Sequence, residues 1–172
     1  MPAGVSYGAG IALRTMGYAS ERVAGASLVV PSGIAAGPDG RMLVEVMVPM
    51  LHYRLRPTRE RMLRAAGPLL TEPDEDFVRE LGAVYRHVGL DVQLPQMATE
   101  EELRGFRGPV AVFAAEDDPF FLGETVLARA RGIFTNLVHA ELLEGCRHVA
   151  SRAALSRVNR KIRAFLQGPG AP

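Results

Sequence analysis

Cysteine is almost absent. Cys146 stands alone among 172 residues, so no intrachain disulfide can form and nothing points to an oxidising compartment. Tryptophan is missing, aromatics make up 6% of the chain, and Lys161 is the lone lysine among 20 basic residues. This reliance on Arg, together with abundant Ala and Gly, reads as coding bias and not as function. No apolar run approaches the roughly 18 residues of a membrane span, and the N-terminus lacks the basic region of a secretory signal. Neither sign of charge dominates. The formal net charge of +1 gives no reason to expect nucleic acid or an anionic membrane as partner. No His, Cys and carboxylate cluster has metal-ligand spacing, no Gly-rich loop follows a strand as a dinucleotide site requires, and no cofactor is expected. A cytoplasmic location is the expectation. Hydrophobic residues at 48% and charged residues at 23% suit one globular domain with a sizeable core.

Against that background one stretch carries chemistry. Gly4-Val5-Ser6-Tyr7-Gly8 reads G-x-S-x-G and opens into an apolar helix from Gly8 to Gly17. This is the pattern of a nucleophile elbow, in which a serine is held on a sharp turn between a strand and a helix. Gly4 and Gly8 are expected to leave room for strand and helix to approach. The N–H of Tyr7 is expected to face a developing oxyanion, aided by the positive end of the helix.

Along the chain, short apolar runs alternate with helical periodicity. Ala26-Ser27-Leu28-Val29-Val30, stopped by Pro31-Ser32-Gly33, has the length and texture of a strand buried on both faces. The texture changes at Gly37-Pro38-Asp39-Gly40. Arg41 to Arg54 reads as a helix with a kink at Pro49, and Pro57 to Ala66 as a second. Thr71-Glu72-Pro73-Asp74 reads as the start of a third, with a capping residue and acids in its first turn. Thr99 and Glu102 make a capping box for a short helix ending near Gly105. Strand texture returns at Val110 to Ala114, followed by Glu116-Asp117-Asp118-Pro119, and again at Leu137 to Leu143, followed by Glu144-Gly145-Cys146-Arg147-His148. A last helix, capped by Ser151, carries Leu155, Val158, Ile162 and Phe165 on one face and ends at Gly168-Pro169.

Strands alternating with helices predict an α/β fold with a parallel sheet, whose ligands bind beyond the carboxyl ends of the strands. Ser6, Asp118 and His148 each follow a strand there. In these residues and in their order the chain resembles the α/β-hydrolase superfamily, from the elbow onward. The resemblance implies a partial α/β-hydrolase fold, with residues 1–37 and 105–172 forming the C-terminal half of the core and residues 38–104 a helical cap. Residues 40 to 102 would lie over the carboxyl end of the sheet and present Met and Leu side chains to an apolar pocket. The resemblance also implies that Ser6 is the nucleophile, His148 the base, Asp118 the residue that orients the imidazole, and Tyr7 an oxyanion donor. Asp117 is the less favoured acid. His52, His87 and His139 are expected to be structural or surface residues, Met42, Met47, Met50 and Met62 cap packing, and Cys146 a buried filler. The implied activity is serine hydrolysis of carboxylic esters or similar acyl substrates. Acyl transfer, C–C bond hydrolysis, perhydrolysis and a non-catalytic binding or oligomerising module remain open. The implied partner is a small acyl substrate.

One departure sets a further expectation. Only Met1-Pro2-Ala3 precedes Gly4, where the superfamily carries a strand, and before it further strands and the loop giving a second oxyanion N–H. The chain therefore reads as a C-terminal half, with the run Ala26 to Val30 exposed as an unpaired edge. That edge would be met by a homodimer partner or a missing N-terminal half, and Ser6 would reach His148 only if something outside the chain held it.

Overall fold

Runs of apolar residues without polar alternation bury on both faces, and two strands here do so along their whole length: β2, Ala26–Val29, and β3, Val110–Ala115. The computed structural model describes residues 1–35, 40–88 and 96–167. With β1, Ala3–Val5, and β4, Leu137–Leu143, these strands form a four-stranded parallel sheet in the order β1-β2-β3-β4. Alternation of side chains splits the core into two layers. Leu28, Val110, Val112 and Ala114 pack against α1, Tyr7–Tyr18, and α6, Gly123–Ile133. Val29, Ala111, Phe113 and Ala115 pack against α7, Arg152–Gln167. Cys146 is buried in this second layer, as expected of a filler.

The strand before the elbow corrects an expectation. Ala3–Val5 pairs in parallel with Ser27–Val29 of β2, so the edge of β2 is covered and the open edge belongs to β1. The strand has three residues and is half exposed, too short to leave a periodic signal in the sequence. Its face and that of α1 leave Val5, Tyr7, Ile11 and Tyr18 exposed.

Between β2 and β3 the described residues carry four α-helices: α2, Val48–Leu55; α3, Arg59–Ala66; α4, Glu75–His87; and α5, Glu100–Leu103. Met50, Tyr53, Met62, Ala65, Ala66, Val78 and Tyr85 make a separate core for this region. Met50 and Met62 thus belong to this core, while Met42 and Met47 are half-buried. Burial pushes the Tyr85 phenol up to about 12. The kink expected at Pro49 takes the form of a widened π-helical turn, Leu43–Met47, ahead of α2, which accommodates the N–H that proline lacks. The capping box of Thr99 and Glu102 is formed. Thr71 does not cap a helix. Asp74 caps α4 instead, accepting from the Phe77 N–H at 2.9 Å. The boundary expected at residues 37 and 38 and the helix end expected at 168–169 lie outside the described residues. Among the described residues no helix is long and apolar enough to cross a membrane.

Glu141 of β4 fastens the last helix, accepting from Lys161 Nζ at 2.7 Å, Arg157 Nε at 3.2 Å and His139 Nε2 at 2.9 Å. His139, half-buried, also lies 5.0 Å from the Phe113 ring, a structural role. Burial alone would raise the Glu141 carboxyl, but its donors outweigh that and hold it below the ordinary 4.5. A carboxyl lowered by folding stabilises the fold above its unfolded value and loses that contribution as pH falls through its folded value. Glu141→Gln should therefore lower the melting temperature near neutral pH. The gap from the unchanged chain should narrow as the pH falls below about 4.5 and close as it passes the folded value, which thermal melts across pH would check.

Candidate active site

The elbow forms as its sequence implies, with glycine needed at one position more than the other. A Cβ on Gly4 would stand 2.5 Å from the carbonyl carbon and oxygen of Gly8 and 2.6 Å from the Ala9 nitrogen, whereas a Cβ on Gly8 would meet nothing within 4 Å. The second close approach belongs to Gly10, where a Cβ would strike the Ser32 hydroxyl. Gly4→Ala should force α1 away from β1 and cost roughly 1–3 kcal/mol, as overpacking does. Gly8→Ala should be tolerated. Denaturant midpoints of the two variants would separate them.

Ser6 sits on that turn with φ 52° and ψ −118°, a conformation that costs a non-glycine residue about 1–3 kcal/mol. Several contacts hold it there. The Ser6 N–H donates to the Val29 carbonyl at 2.9 Å, and the Ser6 carbonyl accepts from Ala9 and Gly10 at 3.1 and 3.2 Å. Ser32, 2% exposed, adds its N–H and its hydroxyl to the same carbonyl, each at 3.3 Å. Val30, at φ 40°, turns the chain after β2 so that Ser32 can do so. The expectation that Ser6 needs support from outside the chain is thereby overturned: β2 and the turn after it supply the support. Ser6 occupies the cap position of α1 without capping it through its side chain, so its hydroxyl is free. The first N–H groups of a helix have no intrahelical partner. That of Tyr7, the first residue of α1, is the donor available beside Ser6.

The free hydroxyl meets His148. Ser6 Oγ lies 2.8 Å from His148 Nε2, and His148 Nδ1 lies 2.7 Å from Asp118 Oδ2. Asp118 is completely buried, and its second oxygen accepts from the Phe120 and Phe121 N–H groups at 2.8 and 3.2 Å. A buried carboxylate is tolerable only when so satisfied. With both oxygens accepting, Nδ1 must donate to Asp118, which leaves Nε2 to accept from the Ser6 hydroxyl. Phe120 presents its ring edge-on to the imidazole at 4.9 Å, and Phe121 lies at 6.2 Å. The two loops are stitched together as well. Asp117 N–H donates to the Cys146 carbonyl at 2.9 Å, and Glu116 accepts from Gly145 N–H at 2.7 Å.

All three residues read from the sequence are therefore brought together, and Asp117, His52 and His87 are exposed. Sequence reasoning missed Ser32, Phe120 and Phe121. Pro31-Ser32-Gly33 signalled only the end of a strand, whereas Asp118-Pro119-Phe120 carries the signal of an Asx turn, a side chain that accepts from N–H groups two and three residues on. Two open cavities of about 460 and 490 Å3 run along α1, both lined in part by Arg14 and Tyr18, and the first reaches Tyr7 and Ser32 beside Ser6.

No family model matches the sequence, and no curated protein is significantly similar to it. Solved structures are similar in fold. Naproxen esterase (carboxylesterase NP) from Bacillus subtilis superposes with a TM-score of 0.74 at 18% identity, covering 95% of this chain and 58% of its own. Carboxylesterase CesB, also from Bacillus subtilis, gives 0.72 at 17% identity, covering 98% of this chain and 60% of its own. A meta-cleavage product hydrolase from Pseudomonas fluorescens IP01 gives 0.71 at 14% identity, covering 96% and 63%. The chain thus spans about 58 to 63% of the length of these structures. The parallel sheet, the helices on its two faces and this likeness identify the chain as a partial α/β-hydrolase fold.

Proposed function

We propose that the chain is the part of a serine hydrolase that carries the Ser6–His148–Asp118 triad, acting on carboxylic esters or similar acyl substrates. The observation that carries this is the unbroken hydrogen-bonded line from the Ser6 hydroxyl through the imidazole to a fully buried carboxylate. On this reading His148 Nε2 takes the hydroxyl proton as Ser6 attacks the acyl carbon. Asp118 holds the ring and stabilises its charged form, and the Tyr7 N–H faces the oxyanion. His148 then returns the proton to the leaving alcohol, and water hydrolyses the acyl-enzyme by the same route in reverse. The strained serine supports this, since such strain persists where surrounding structure fixes it for a purpose. The esterases similar in fold agree with it.

The helices described between residues 40 and 102 act as the cap in this reading. This is supported by contacts with loops at the carboxyl ends of the strands: the Ala98 N–H donates to the Gly33 carbonyl at 2.7 Å, and the Val149 N–H to the Leu69 carbonyl at 2.8 Å. The open edge of β1, with Val5, Tyr7, Ile11 and Tyr18 exposed, supports pairing with further sheet in the working enzyme. Assay against p-nitrophenyl esters of increasing chain length tests the proposal. Hydrolysis that follows the concentration of folded chain supports it, and turnover no faster than buffer contradicts it.

A further inference from the structure

His148 is held from a second side, by the helical region. Immediately before it, the Arg147 N–H donates to Thr71 Oγ1 at 2.8 Å, and the Arg147 guanidinium donates to the Gly67 carbonyl at 2.6 Å. Immediately after it, the Val149 N–H donates to the Leu69 carbonyl at 2.8 Å, and the Thr71 N–H donates to the Val149 carbonyl at 3.0 Å. Leu70 and Val149 thus form an isolated parallel bridge. Glu72 continues the contact, accepting from the Arg152 N–H at 2.8 Å where α7 begins. Thr71 therefore serves with its hydroxyl and its N–H at once, one on each side of the histidine.

The segment that makes these bonds is rooted in the helical region and not in the sheet. A single tight turn, Gly67–Leu69, joins it to α3, and Leu70 packs against the core of Met62, Ala66 and Val78. Through this segment α3 and α4 are linked to the residues on both sides of His148. The loop's ties to Glu116 and Asp117 lead to the sheet instead.

We propose that residues 67–72 form a strap that sets the position of the His148 loop, with Thr71 and Arg147 as positioning residues, so that the placement of the helical region governs the Ser6–His148 contact. This deepens the hydrolase reading and rests on it for its catalytic consequence. Rates are sensitive to such placement, since a misplacement of about 1 Å can cost roughly 100-fold.

The test compares Thr71→Val, which keeps the shape and removes the acceptor, with Thr71→Ser, which keeps the hydroxyl. Arg147→Ala serves as a second variant at an exposed position. In Thr71→Val, amide exchange at Arg147 should quicken by roughly three- to ten-fold, the scale of one lost hydrogen bond. The NMR signal of the His148 Nδ1 proton should broaden, while exchange at Val112 and Phe113 in β3 stays unchanged. For a short-chain ester, kcat should fall about ten-fold with KM nearly constant, the mark of a group that acts through the base. Arg147→Ala should move the same quantities in the same direction, and Thr71→Ser should restore them all. Unchanged Arg147 exchange and an unchanged Nδ1 signal in Thr71→Val would overturn the strap, as would failure of Thr71→Ser to restore them. A parent chain without ester hydrolysis would overturn the hydrolase reading alone, because exchange and the Nδ1 signal still decide the strap.

Discussion

Ser6→Ala should reduce ester hydrolysis by about 10⁴- to 10⁶-fold in kcat, the scale on which a triad acting as a unit fails when its nucleophile is lost. The structure gives the reason for so large an effect. The hydroxyl makes no helix cap and meets His148 Nε2 at 2.8 Å, so its removal leaves no other nucleophile on that nitrogen. The fold should not suffer. Ser6 is held by its backbone, through Val29, Ala9, Gly10 and Ser32, and alanine keeps each of those bonds. A thermal melt of the variant should therefore superpose on that of the parent chain. Loss of both activity and melting transition would mean that the hydroxyl is structural.

Asp118→Asn should cost about 10⁴-fold in kcat. The side chain has two tasks that this substitution separates. Oδ1 accepts from the Phe120 and Phe121 N–H groups, and an amide oxygen can still do so. Oδ2 faces His148 Nδ1 at 2.7 Å, and there the substitution puts an NH₂ donor. A donor opposite Nδ1 forces that nitrogen to accept, which moves the ring proton to Nε2 and leaves Ser6 without a base. The loop should stay folded while the chemistry stops. Asp118→Ala should be worse for stability, because it leaves the Phe120 and Phe121 N–H groups without their acceptor at a buried site, at roughly 1–3 kcal/mol. Comparing melting temperatures and kcat for the two variants checks both halves of this argument.

The three residues of the candidate site were legible because each sits where local sequence fixes it. Ser6 follows from the glycine spacing of the elbow, and Asp118 and His148 follow strands whose apolar runs are unmistakable. The burial of β2 and β3 on both faces follows from the same runs. What escaped the sequence was whatever depends on partners distant along the chain. β1 is three residues long and exists because Ser27–Val29 pairs with it, which no period within Ala3–Val5 announces. Thr71 has the residue type of a helix cap, and its local pattern favours that role. Its hydroxyl is taken by Arg147 instead, and the cap falls to Asp74. Ser32 is read locally as part of a turn, and only the sheet brings it back to the Ser6 carbonyl.

Covalent labelling decides whether Ser6 is a nucleophile activated by His148. The folded chain would be treated with a fluorophosphonate and the adduct mapped by mass spectrometry, beside a heat-unfolded sample and the His148→Ala variant. One adduct is expected, on Ser6, forming in the folded chain and lost in both controls. An adduct on another residue, no adduct in the folded chain, or labelling of Ser6 that survives unfolding or the loss of His148 would contradict this.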